Sequence, residues 1–181
     1  VLSGTGERTL AESDQGAVDM SAQGRLDAWH AATRMALRNP LTGIGLDTFL
    51  YNYFEYTPHW DGRPHAVHSS WFGVLGEIGF IGFFLFVALN LMVVRRVWRI
   101  NTALSAEPDA DTTLRVTALA LLAGLAGNMV SGTFLTHAFI WPFYILMALT
   151  LALARYYEQH TSQAKEPRQV GVSLPLAKTN H

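Results

Sequence analysis

Residues 71–94 read WFGVLGEIGFIGFFLFVALNLMVV, an apolar run with one charge, Glu77. Crossing a hydrocarbon core of about 30 Å takes roughly 20 consecutive, mostly apolar residues in a helix. This stretch is long enough, and it decides the fold class: an all-α integral membrane protein, with three buried helices of one soluble globular core as the alternative. Directly in front of it stands PHAVHSS, residues 64–70, which sets two histidines at the mouth of the helix. The carboxylate of Glu77 and three glycines, Gly76, Gly79 and Gly82, lie one to three turns inside.

Two further stretches extend the pattern downstream. Residues 116–136 carry no charge, and residues 138–154, AFIWPFYILMALTLALA, carry none either. The third is short, and Arg155, Tyr156 and Tyr157 are expected to carry it into the interface. Basic residues lie at one set of ends. RRVWR, residues 95–99, follows the first span, Arg115 precedes the second and Arg155 follows the third. Cytoplasmic ends collect Lys and Arg, so residues 1–70 are expected outside. The link 101–114 and a polar tail, 155–181, are expected inside, with the tail from Glu158 disordered. Over the whole chain half the residues are hydrophobic, mean hydropathy is +0.17 and formal net charge is −1. That balance offers nothing to a nucleic acid, and the lack of cysteine excludes disulfides and thiolate metal sites. The chain starts at Val1 and shows no signal-like leader, so it reads as the tail or a fragment of a longer protein.

Upstream of the first span, residues 1–24 are rich in Gly, Ser, Asp and Glu and read as a loop. RLDAWHAATRMALRNP then has helical spacing over about 25–39, ending at Asn39 before Pro40. Leu26, Ala28, Trp29, Ala32, Met35, Ala36 and Leu37 share one face. Asp27, His30, Arg34 and Arg38 share the other, as solvated groups. Arg25 falls on the apolar face, in line with Trp29, Ala32 and Ala36. Either it sits in the first turn and reaches water past the helix end, or its planar fork points at an anion such as phosphate. LTGIGLDTF supplies a glycine turn, and YNYFEYTPHWDGRPHAVH is an aromatic loop without a period.

His59, His65 and His68 cluster just outside the first span. A helical turn would set His65 and His68 side by side. Ordinary loop histidines, a metal site and a general base compete as readings; the cluster has no carboxylate at ligand spacing. Ser69 and Ser70 are good N-caps, which sets His68 at a helix N-terminus, where neutral imidazole and bound anions are both favoured. Glu77 is nine residues further, about half a turn round and about 13 Å along, so it does not meet His68 on one helix. An intramembrane carboxylate faces protein or a water-filled cavity, here with an Arg of another helix as the expected partner. The glycines are expected to admit a neighbouring helix.

Taken together, RLDAWHAATRMALRNPLTGIGLDTF, the aromatic loop and HAVHSSWFGVLGEIGFIGFFLF resemble the signature region of the O-antigen ligase and polymerase superfamily. The branch of O-glycosylation ligases associated with exosortase A looks most similar. It shares an HS…F.VLGE.GF.GL run and a turn like SGTFLTHAFIWPFYIL. The resemblance covers roughly residues 25–154. It implies a GT-C-like bundle whose three C-terminal helices (71–94, 116–136, 138–154) follow a partly helical periplasmic loop, with further N-terminal spans completing it. It also implies a multi-pass inner-membrane enzyme that moves a glycan from an undecaprenyl-diphosphate carrier to a lipid or protein acceptor, with no metal and no other cofactor. On that resemblance Arg25 is a diphosphate ligand, His68 the general base, His65 a further substrate contact and Glu77 a supporting residue. A polymerase of the same superfamily, or a non-catalytic scaffold or transporter part, are the alternatives.

Overall fold

The computed structural model describes residues 3–107, 110–136 and 138–165. These form five helices: α1 (Ser3–Arg38), α2 (Phe49–Tyr56), α3 (Ser70–Ala106), α4 (Thr112–Phe134) and α5 (Trp141–Lys165). No strand occurs among the described residues.

The distal half of α3, α4 and α5 form an up-down-up bundle. The Ser70 hydroxyl at the start of α3 donates to the Leu135 carbonyl just past the end of α4, at 2.8 Å. At the other end Leu104 and Leu114 share one apolar cluster with Val93, Val97, Ile100, Ala118, Leu121, Leu125 and Leu153. α5 runs alongside α3 in the same direction: the Phe86 and Phe143 rings meet at 5.9 Å, and Arg96 pairs with Glu158. The outward faces are apolar too, with Ile81, Phe84, Leu85, Met92, Val130 and Ile145 exposed. In a bundle that crosses a bilayer such a face lies against lipid or other helices.

α3 and α4 are long and apolar enough to cross a membrane. The expected third span is not of that kind. The helix starts at Trp141 rather than 138, and its apolar part ends at Ala154. Those fourteen residues rise about 21 Å, short of a core of about 30 Å. The helix then continues through the polar residues 155–165, so the tail is helical as far as Lys165, where disorder was expected from Glu158. The expected disorder of 166–181 and the boundary residue His137 lie outside the described residues.

Two further expectations upstream are corrected. Residues 3–24 are helical and continuous with 25–38. Gly and Ser lower helix propensity by about 1 kcal/mol or less each, and no proline interrupts the run before Pro40. The aromatic stretch contains α2, a helix that composition alone does not reveal because its N-terminus is capped from elsewhere. Thr48, its N-cap, makes no side-chain cap bond. The Phe49 amide donates instead to the carboxylate of Glu77, at 3.2 Å.

That contact belongs to a tight junction between the 40–48 loop and α3. Ile44 N donates to the Gly76 carbonyl (3.1 Å), Gly45 N to the Glu77 carbonyl (2.9 Å) and Phe80 N to the Pro40 carbonyl (2.8 Å). The last bond replaces an intrahelical one, because α3 is broken at Gly79, where φ is 69° and ψ is −171°. A Cβ at Gly79 would stand 2.7–2.9 Å from backbone atoms of Gly43, Pro40 and Leu41. Only glycine fits both the angles and the space. The three glycines therefore differ in what they admit. Gly76 lets α1 approach at Ala32, Gly79 admits a loop rather than a helix, and Gly82 faces the Ile78 side chain of its own helix.

Candidate functional site

α1 packs its small face, Ala28, Ala31, Ala32 and Met35, against Phe49, Tyr53, Tyr56 and Val67. Trp29 fastens the stretch before α3. Its indole stacks on Phe72 (5.0 Å, 12°), and its N–H donates to the Val67 carbonyl at 2.9 Å. Leu26 and Leu37, expected on the buried face, are exposed, and Asp27, expected in solvent, is buried. The Asp27 carboxylate accepts from the Gln23 amide at 3.1 Å and lies 3.7 Å from His59 Nδ1. Arg34 and Arg38 are not merely solvated. Arg34 donates to the Tyr56 carbonyl at 3.3 Å, and the Arg38 guanidinium stands 5.1 Å from the Tyr56 ring centroid.

This packing leaves a cleft of about 290 Å³ between α1 and the segment before α3. It is lined by Met20, Ser21, Gly24, Arg25, His65, Ala66 and His68. Arg25, His65 and His68, singled out in the sequence on separate grounds, thus border one cavity. Arg25 is 22 residues past the start of α1 at Ser3, so escape past a first turn does not account for it. Among the described residues nothing hydrogen-bonds or ion-pairs with Arg25 or His68, and both are exposed at the cleft.

His65 and His68 do not share a helical turn; residues 57–69 are irregular. His68 immediately precedes Ser69, the N-cap of α3, whose hydroxyl accepts from Phe72 N at 3.5 Å. His68 adopts φ 44°, a left-handed conformation unusual for a residue with a side chain. The chain turns there so that the loop can meet the helix N-terminus, and His68 is left at the cleft.

His65 is held more firmly. Its Nε2 lies 2.8 Å from Asp61 Oδ2. The other carboxylate oxygen, Oδ1, accepts from Arg63 N at 3.0 Å. The bonded imidazole, and then the Arg63 amide, hold the Asp61 carboxyl below its ordinary range. The His65 ring also meets the fully buried Tyr53 edge-on at 5.7 Å. Burial pushes the Tyr53 phenol up, so it stays a neutral hydroxyl at ordinary pH.

His59 lies outside this cleft, exposed beyond Asp27. Glu77 also lies apart from it, and its partner is the N-terminus of α2 rather than an arginine of another helix. A carboxylate at a helix N-terminus satisfies donors that have no intrahelical acceptor. Sequence reading missed Asp61 and Asp27. The spacing of Asp61 four before His65 was visible, but in an irregular loop that spacing carries no geometry.

Residues 2–87 match the family model described as O-Antigen ligase. No curated protein and no solved structure matches the chain. The matched region comprises α1, the 40–48 loop, α2, the histidine segment and α3 as far as one turn past Gly82, and so contains the whole cleft.

Proposed function

Because residues 2–87 match the O-antigen ligase family model, we propose that this chain carries the transfer site of a membrane glycosyltransferase. In this reading it moves a glycan from an undecaprenyl-diphosphate carrier to a lipid or protein acceptor at the periplasmic face of a bacterial inner membrane. The exosortase-associated branch is the one its motifs favour. The observation that carries the reading is the cleft in which Arg25, His65 and His68 meet beside the N-terminus of an apolar helix. A lipid-linked diphosphate needs that location: its headgroup stands at the membrane surface while its chain stays in the bilayer.

The chemistry follows from the residues. An acceptor hydroxyl oxygen bonds to the anomeric carbon, and the bond from that carbon to the diphosphate breaks, its electron pair leaving on phosphate oxygen. Arg25 stabilises the charge that develops there with the planar fork of donors that its guanidinium presents. A cleft imidazole takes the hydroxyl proton, His68 in the assignment that the sequence suggests. α5 makes a third crossing only with its interfacial residues Arg155, Tyr156 and Tyr157 included, or with local thinning of the bilayer. The basic clusters at Arg95, Arg96, Arg99, Arg115 and Arg155 then lie in the cytoplasm.

The test is transfer by the full-length protein, with lipid-linked glycan extracted from the same strain as donor. Arg25→Lys should lose most activity, since an ammonium cannot reproduce the guanidinium fork. Arg34→Lys, whose side chain donates to the Tyr56 carbonyl away from the cleft, should be nearly silent. Equal rates for the two variants would remove Arg25 from the site.

A further inference from the structure

The two imidazoles of the cleft differ in what holds them. His68 has no hydrogen-bond partner among the described residues. His65 is fixed on two sides, by the Asp61 carboxylate at Nε2 and by the Tyr53 ring. We propose that Asp61 is the positioning residue of the site, and that it makes His65 rather than His68 the proton acceptor. This deepens the glycosyl-transfer reading above and rests on it.

A carboxylate can only accept hydrogen bonds, so its bond to Nε2 fixes the proton of the neutral ring on that nitrogen. The lone pair is then on Nδ1. That atom is the one nearest the place where a side chain on residue 24 would begin, 3.2 Å from an ideal Cβ. Residue 24 is glycine and borders the cleft beside Arg25, so Nδ1 stays open on the side where the anion would bind. Asp61 is in turn held by the Arg63 amide, which leaves its other oxygen aimed at the ring. A base whose second nitrogen is oriented by a third group is the arrangement that proton abstraction needs. In the transfer step the acceptor O–H bond breaks and its proton passes to Nδ1. The Nε2–H stays with Asp61, the new bond from oxygen to anomeric carbon forms, and the diphosphate departs toward Arg25 with the electron pair. Because Asp61 and His65 are both partly open to water, their charge attraction is screened. Orientation and tautomer are what the pair supplies.

The experiment uses the full-length protein in detergent, with ¹⁵N-labelled histidine and the extracted lipid-linked glycan as donor. Wild type should show His65 protonated on Nε2 when neutral. Asp61→Asn should shift the population toward the Nδ1–H tautomer and slow transfer about 10–100-fold at unchanged donor KM. His65→Ala should lose about 10²–10⁴-fold, and His68→Ala less. Gly24→Ala, which presses on Nδ1, should slow transfer without moving the tautomer. A wild-type His65 carrying its proton on Nδ1, or Asp61→Asn with wild-type tautomer and rate, would overturn the assignment while losses in Arg25→Lys left the transfer reading standing. Wild-type rates in both Arg25→Lys and His65→Ala would instead remove the transfer reading, and the base role with it.

Discussion

The two halves of this protein are held together by different physics. From α1 to Phe80 the contacts are particular: backbone bonds between the 40–48 loop and α3, a carboxylate on a helix N-terminus, an indole N–H on a carbonyl, and glycines where a Cβ would collide with backbone. From Ile81 onward the contacts are general. Leucines, valines and alanines of α3, α4 and α5 fill one cluster, with the Arg96–Glu158 pair beside it. Apolar packing tolerates many substitutions that keep volume and pattern. A junction of satisfied polar groups and forced backbone angles does not. The family match ends at residue 87, a few residues past the last of the particular contacts. The half that carries the cleft is therefore also the half whose geometry is most tightly specified.

The comparison breaks first at Gly79. Gly79→Ala asks a side chain to adopt φ 69°, ψ −171° with backbone atoms 2.7–2.9 Å from its Cβ. It should cost about 3 kcal/mol or more. A loss near 10 °C in thermal unfolding midpoint in detergent is expected, since about 2–4 °C accompanies each kcal/mol at this size. A shift of only a degree or two would mean that the kink is soft and the junction not specified as described.

Glu77 ranks next. Glu77→Ala leaves the α2 N-terminus without its acceptor and should cost about 1–3 kcal/mol, the usual penalty for stranding a buried hydrogen-bonding group. Amide exchange should speed up at Phe49 and in the first turn of α2, while α4 stays protected. Uniform exchange across the chain would show that Glu77 supports the bundle rather than the junction.

The smallest effect is expected in the other half, and with opposite sign. Gly127 lies in the interior of α4, and a Cβ added there would meet nothing within 4 Å. Gly127→Ala should raise stability by up to about 1 kcal/mol, because alanine loses less backbone freedom on entering a helix. Destabilisation there, measured beside Gly79→Ala, would point to a partner helix pressed against that face of α4.

Much of this was legible in the chain itself. The apolar runs determined that the described residues are helical without strands and that 71–94 and all but the last two residues of 116–136 fall in membrane-length helices, because burying a helix in lipid requires little beyond length and the absence of charge. The Ser69 cap, the glycine turn at 43–45 and the odd placement of Arg25 could be read from local rules, since each depends on residues a few positions apart. Only the tertiary structure decided the rest. Whether residues 3–24 join α1, and whether 49–56 becomes a helix, turned on context that short-range propensity does not contain. Glu77 found its partner 28 residues back along the chain, where no spacing could announce it. His65 and His68 reached one cleft with Arg25 through an irregular segment, whose shape follows from the contacts of Trp29, Tyr53 and Val67 rather than from any period. Periodic patterns encode which face is buried; they do not encode which polar groups meet, because those meetings are made between segments that the chain brings together only on folding.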